Sequence, residues 1–187
     1  MVTNFEYRAM KIFIIGYMAA GKTTFGHALA DKLGTPFIDL DNYIEKAADK
    51  SISDIFKTEG ENAFRELESE KLREIIANEP DVVLACGGGT PCFNENMKLL
   101  NENGITIFIE TSTPVLIQRL QEENAKRPLV AGKTDDEIRQ KVLSQLCERL
   151  PYYMESKLKW HGDDLNTEQE IRSNVDNFVD SYPSVFR

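Results

Sequence analysis

"GYMAAGKT", Gly16 to Thr23, stands between the apolar run Lys11-Ile12-Phe13-Ile14-Ile15 and a segment in which Phe25, Ala28, Leu29 and Leu33 recur at helical intervals as far as Gly34. A short β-branched run ended by glycine reads as a strand covered on both faces. The stripe after the octapeptide, closed by Gly34, reads as an amphipathic helix with a glycine C-cap. The octapeptide itself satisfies G-x-x-x-x-G-K-[ST]. Its glycines let successive N–H groups turn inward, and the helix that starts there adds positive potential, so the loop can cradle phosphate. In this pattern Lys22 reaches the β and γ phosphates of a nucleotide and the Thr23 hydroxyl binds Mg²⁺. Gly16, Ala19, Ala20, Gly21, Lys22, Thr23 and Thr24 are the candidate nucleotide contacts.

Outward from the loop, strands and helices alternate. Pro36–Asp41 predicts a second strand, Asp81–Cys86 a third running into Gly87-Gly88-Gly89, Ile105–Ile109 a fourth and Leu158–His161 a weak fifth. Between the second and third, the stripe Phe64, Leu67, Leu72, Ile75 and Ile76 predicts a helix. Ser112-Thr113-Pro114 starts another, with a hydroxyl cap and proline in the first turn. Thr167 and Glu170 form a capping box ahead of Ile171, Val175, Phe178 and Val179. This order gives an α/β fold with a parallel sheet. Glu122 to Asp136, rich in Glu, Lys, Gly and Asp, interrupts the alternation and is expected to be a mobile loop.

The whole chain has 187 residues, 41% of them hydrophobic, enough for one core and one domain. Its net charge of −9 argues against a sequence-blind grip on nucleic acid or an anionic membrane, both of which need a surplus of Lys and Arg on one face. No apolar run approaches the ~20 residues of a membrane span, and Met1 to Met10 lack the apolar middle of a secretory signal, so a cytoplasmic protein is expected. Cys86, Cys92 and Cys147, with only His27 and His161 beside them, have no zinc spacing and are expected to stay reduced. With no heptad run, a monomer is expected.

Asp39 and Asp41, two apart on the expected second strand, would project from one face near its C-terminal end, where ligands of open α/β sheets collect. One carboxylate could help hold a magnesium shell while the other takes a proton from an attacking hydroxyl; a solvated strand end is the equally plain alternative. Gly87-Gly88-Gly89 would expose backbone to a ligand, although by itself it is also a flexible turn. Arg65 stands three residues before Glu68, within reach of its carboxylate on a helix. Arg127 lies in the expected mobile loop and Arg149 before Pro151 at an expected helix end. Each arginine alone reads as a surface charge, and spacing does not bring them together.

A family resemblance implies what spacing does not. With "FIDLDNYIE", "SISDIF", "GENAFRELE", "GGGT", "KRPL" and "ERLPYY" beside the phosphate loop, the chain resembles shikimate kinase from Met10 to about Val175. The resemblance implies a three-layer α/β/α P-loop fold with a five-stranded parallel sheet in the order 2-3-1-4-5, a lid at about 121–136, and an N-terminal extension over 1–9. It implies that ATP with Mg²⁺ phosphorylates the 3-hydroxyl of shikimate, in the route to chorismate and the aromatic amino acids. Asp41 would bind the ring hydroxyls and assist deprotonation, Arg65 and Arg149 would pair with the substrate carboxylate, and the Gly87–Gly89 backbone would hold a hydroxyl. Phe56 and Phe64 would line the pocket. Lys22 and a closing Arg127 would neutralise the transferred phosphoryl group, Asp39 would sit in the outer shell of the Mg²⁺ on Thr23, and Arg119 would pack on adenine. Ala19 stands where the family often has glycine and is expected to stiffen the loop. Ala85 replaces a frequent hydroxyl residue and removes a water-mediated link to magnesium. Another P-loop kinase, such as one for gluconate, is the nearest alternative. A GTP-driven switch is remote, because no N-K-x-D motif is present.

Overall fold

The computed structural model describes residues 10–122 and 133–186. At its centre lies β1 (Lys11–Ile15), with Ile12, Phe13, Ile14 and Ile15 fully shielded from water. A strand this apolar is stable only with both faces covered, and it takes the middle place in a sheet of five parallel strands. The order is β2 (Phe37–Asp39), β3 (Val82–Ala85), β1, β4 (Ile105–Glu110) and β5 (Leu158–His161), which is the expected 2-3-1-4-5. Ile14 faces Ala85, and Ala85 faces Asp39, so β1, β3 and β2 end level with one another. The loops that leave them therefore converge on one edge, the C-terminal edge where such sheets bind ligands.

The helices cover the sheet. α1 (Lys22–Leu33) leaves the phosphate loop and ends at Gly34, whose left-handed backbone lets its N–H return to Ala30 and Asp31. α2 (Leu40–Ala48), α3 (Ile52–Thr58) and α4 (Gly60–Asn78) lie between β2 and β3. A 3₁₀ turn at Thr90–Cys92 and α5 (Asn96–Asn103) follow β3; α6 (Thr113–Glu122) and α7 (Asp135–Tyr153) follow β4. α8 (Glu168–Ser181) and α9 (Pro183–Phe186) come after β5. α8 packs on α1 through Phe178, whose ring meets Phe25 edge-on at 5.3 Å and Trp160 at 5.3 Å. Among the described residues no helix is long and apolar enough to cross a membrane. Cys86, Cys92 and Cys147 are free thiols, buried, half-buried and exposed in that order.

Three expectations change. The second strand stops at Asp39 instead of reaching Asp41, because the Asp39 carboxylate accepts the Asn42 N–H at 3.2 Å and caps α2. Asp41 is thus a helical residue, and the shared strand face proposed for the two aspartates does not exist. Arg149 does not end its helix: α7 runs through Pro151 to Tyr153, the proline falling in the last turn. The two ends of the expected loop are helical, since α6 reaches Glu122 and a Thr134–Glu137 capping box opens α7 at Asp135. His27 is exposed on α1, its ring against Phe37 and its Nδ1 3.5 Å from Asp31.

Candidate active site

The phosphate loop is shaped by close backbone approaches. Gly21, the N-cap of α1, has φ +93, and a Cβ there would meet Leu165 Cδ1 at 2.8 Å. A Cβ on Gly16 would lie 2.8 Å from the Ile109 carbonyl oxygen. Lys22 folds back so that Nζ donates to the Tyr17 carbonyl at 2.9 Å, and the Thr23 hydroxyl donates to Asp39 Oδ2 at 2.8 Å. Ala19 adopts φ +62, a left-handed conformation that costs an L-residue about 1–2 kcal/mol. Glycine would fit this backbone without that cost. Arg119 on α6 donates to Ala19 O at 3.3 Å, to Asp163 O at 2.8 Å and to Asn166 Oδ1 at 3.1 Å, tying the loop to the β5–α8 connection. Gly21, Lys22, Thr23, Thr24, Asp39, Asp41 and Arg119 are among the residues lining a cleft of about 300 Å³.

A second cavity, of about 540 Å³, opens beside it, lined by Phe56, Phe64, Arg65, Glu68, Gly87, Gly88, Gly89 and Arg149 among others. Met18, Asp41 and Gly88 line both, so the two cavities meet at Asp41. The three glycines let their surroundings approach closely. A Cβ on Gly87 would lie 2.8 Å from Asp41 Oδ1 and 2.9 Å from Glu68 Oε1. One on Gly89 would lie 2.7 Å from the Arg65 guanidinium, and one on Gly88 3.1 Å from the Met18 amide. The functional side chains close directly onto this backbone, which a methyl group would push away.

Arg65 is fixed from several sides. Nη1 pairs with Glu68 at 2.9 Å and Nη2 with Glu61 at 3.2 Å, while Cζ lies 4.2 Å from the Phe93 ring centroid and 5.1 Å from that of Phe64. Glu68 is buried at 1% exposure and also accepts the Thr90 hydroxyl at 2.6 Å. Such an ion pair is stable out of water because both partners are hydrogen-bonded. Arg149 comes from α7 and lies 5.6 Å from the Tyr17 ring. Burial pushes the Asp41 carboxyl up to about 6, with Asp39 adding to the rise and Lys22 opposing it. The burial, the pair of like charges and the cleft are together characteristic of a reactive carboxylate.

Lys22, Thr23, Asp39, Asp41, Phe56, Phe64, Arg65, Gly87, Gly88, Gly89 and Arg149 are thus gathered around two adjoining cavities. Ala20, within the phosphate loop, is buried. Arg127 lies outside the described residues. Sequence reading missed Met18 at the junction, Phe93 beneath Arg65, and Tyr17 and Tyr153. The spacing of four between Gln145, Arg149 and Tyr153 was a usable signal for one shared helix face.

A family model for shikimate kinase matches residues 18–180. The chain belongs to the shikimate kinase family. A shikimate kinase of Bacteroides thetaiotaomicron is 42% identical over 166 residues, 89% of this chain and 94% of that protein. The crystal structure of shikimate kinase from the same species superposes with a TM-score of 0.89 at 40% identity, covering 93% of this chain and 98% of the other. A shikimate kinase from Acinetobacter baumannii, in complex with shikimate, gives a TM-score of 0.81 at 29% identity, covering 95% and 96%. Membership makes the chain a phosphotransferase that uses ATP, with a small molecule as acceptor.

Proposed function

We infer that this chain transfers the γ-phosphoryl group of ATP to the 3-hydroxyl of shikimate, giving shikimate 3-phosphate and ADP. The observation that carries the reading is the meeting of the two cavities at Asp41, with Lys22 and Thr23 on one side and Arg65 and Arg149 on the other. Phosphoryl transfer asks chiefly for alignment and charge stabilisation. Arg65 and Arg149 offer forked donors to a carboxylate at one end of the acceptor, Phe56 and Phe64 offer flat apolar walls to its ring, and Asp41 takes the reacting hydroxyl. An open-chain gluconate would make less use of two rings whose centroids are 4.6 Å apart, and a nucleotide acceptor would want a surface for its base.

The phosphate side fits a nucleotide with Mg²⁺. The N-terminus of α1, the Lys22 ammonium and the inward backbone provide positive potential, and the Thr23 oxygen keeps lone pairs while its proton is held by Asp39. When bound, the ion would neutralise charge on the phosphate oxygens. Arg127 is proposed to bring a further positive charge to the transferred group, and Arg119 to flank the adenine. The chain is proposed to act as a single-domain cytoplasmic monomer.

An ADP-release assay with shikimate, gluconate and nucleoside monophosphates tests the assignment; turnover of either rival with none of shikimate overturns it. Lys22→Met is expected to abolish turnover with every acceptor. Arg65→Ala is expected to raise KM for shikimate while ATP still binds.

A further inference from the structure

α7 turns one face toward the centre of the site. Gln145, Arg149 and Tyr153 are spaced by four residues, so their side chains form a single row on that helix. The last member is fully buried, stacks on Phe108 with centroids 5.2 Å apart, and donates its hydroxyl to the carbonyl of Gly88. The first, Gln145, accepts a 2.7 Å hydrogen bond from the Tyr17 hydroxyl. Arg149 stands between these two anchors.

Tyr17 itself is only 2% exposed, although it occupies a variable place in the phosphate-loop pattern. It touches both halves of the site. Its carbonyl oxygen receives Lys22 Nζ at 2.9 Å and the Ala20 N–H at 3.2 Å; its ring lies 5.6 Å from Arg149 Cζ; its hydroxyl reaches α7. Burial pushes the phenol up to about 12, so it remains a proton donor at any working pH. A long, stiff side chain with two rotatable χ angles thus spans from the loop that faces ATP to the helix that supplies an arginine to the acid.

We propose that Tyr17 and Gln145 are positioning residues for Arg149: their hydrogen bond braces the phosphate loop against α7 and sets the guanidinium for the acceptor carboxylate. The proposal rests on the placement of Arg149 in the acid pocket argued above. Neither residue lines that pocket, so any effect on acceptor binding must pass through what they hold. The brace is directional. The bond sits at the α7 end of Tyr17, whereas Lys22 is held by backbone, which side-chain truncation leaves in place.

Tyr17→Phe keeps the ring beside Arg149 and deletes only the hydroxyl; Gln145→Leu deletes the other partner. Each is expected to raise KM for shikimate three- to tenfold, with KM for ATP within twofold of the parent. Because both act through Arg149, adding Tyr17→Phe to Arg149→Ala is expected to raise KM for shikimate by less than twofold further. The double variant Tyr17→Phe/Gln145→Leu should resemble either single one, since one bond is lost in all three. Melting temperatures measured alongside separate this from general softening, which would move both KM values together. Unchanged KM for shikimate in both single variants, or a Tyr17→Phe effect that persists in full without Arg149, overturns the brace. If Arg149→Ala alone leaves KM for shikimate unaltered, the acid pocket falls and the brace with it; a large Arg149→Ala effect beside silent Tyr17→Phe and Gln145→Leu removes the brace alone.

Discussion

Asp41 carries two opposite consequences of one shift. Loss of water, then the neighbouring Asp39, raise its carboxyl from 3.8 to about 6, while Lys22 pulls the other way. Below about pH 6 the carboxyl holds a proton and cannot serve as the proposed acceptor of the substrate proton, so on that proposal kcat/KM is expected to fall about tenfold per unit there. For stability the direction is reversed, because the fold favours the protonated form. Between pH 3.8 and about 6 the folded chain keeps a proton that the unfolded chain releases. The stabilisation by protonated Asp41 is therefore complete below about pH 4 and is lost as pH rises through about 6. At pH 7.5 the ionised side chain costs on the order of 3 kcal/mol. Asp41→Asn is expected to remove turnover yet raise the melting temperature at pH 7.5, with most of the gain gone at pH 4. A substitution that lowers the melting temperature at pH 7.5 would show that the charge is satisfied where it stands.

Among the elements, α4 shows how binding and folding are joined in one ion pair. Arg65→Ala removes the cation from Glu68, a carboxylate at 1% exposure that keeps the Thr90 hydroxyl as donor. Uncompensated buried charge of this kind costs about 3–5 kcal/mol. Arg65→Ala/Glu68→Gln is expected to regain most of that loss in urea unfolding while KM for shikimate stays as high as in Arg65→Ala. Recovery of KM in the double variant would mean that Arg65 serves the fold and not the acid. This pair was legible in the sequence, because a spacing of three on a helix brings two side chains together whatever the tertiary context. The same holds for the phosphate loop, whose motif carries its own strand and helix. The position of Asp41 was less secure. Its sequence allowed a strand continued past Asp39, and only the capping bond from Asn42 to Asp39 decides against it. α3 and α5 were not anticipated, although Ser51, which caps α3 by accepting the Asp54 N–H, was a visible signal. Phe93 was not legible at all, since its contact with Arg65 joins residues from different elements.

At the level of the whole molecule, the parallel sheet does what no local pattern could. It brings Gly16–Thr23, Asp41 and Gly87–Gly89 from the ends of three adjacent strands to one edge, where α4 and α7 add their arginines. A ligand in the proposed acid pocket consequently ties together pieces far apart in the chain, and none of that surface persists when the chain unfolds. Linkage then fixes the expected effect: at a hundredfold excess over its Kd, shikimate adds about 2.7 kcal/mol to stability. For a chain of this length that corresponds to a rise of about 5–10 °C in melting temperature. Arg65→Ala should abolish the rise with shikimate at the same concentration and leave the rise with ATP and Mg²⁺ intact, whereas Lys22→Met should do the reverse. Thermal melts of the three proteins with each ligand separate the two cavities without any turnover. Loss of both shifts in either variant would show that the cavities are not independent binding sites, and would place the division between them somewhere other than at Asp41.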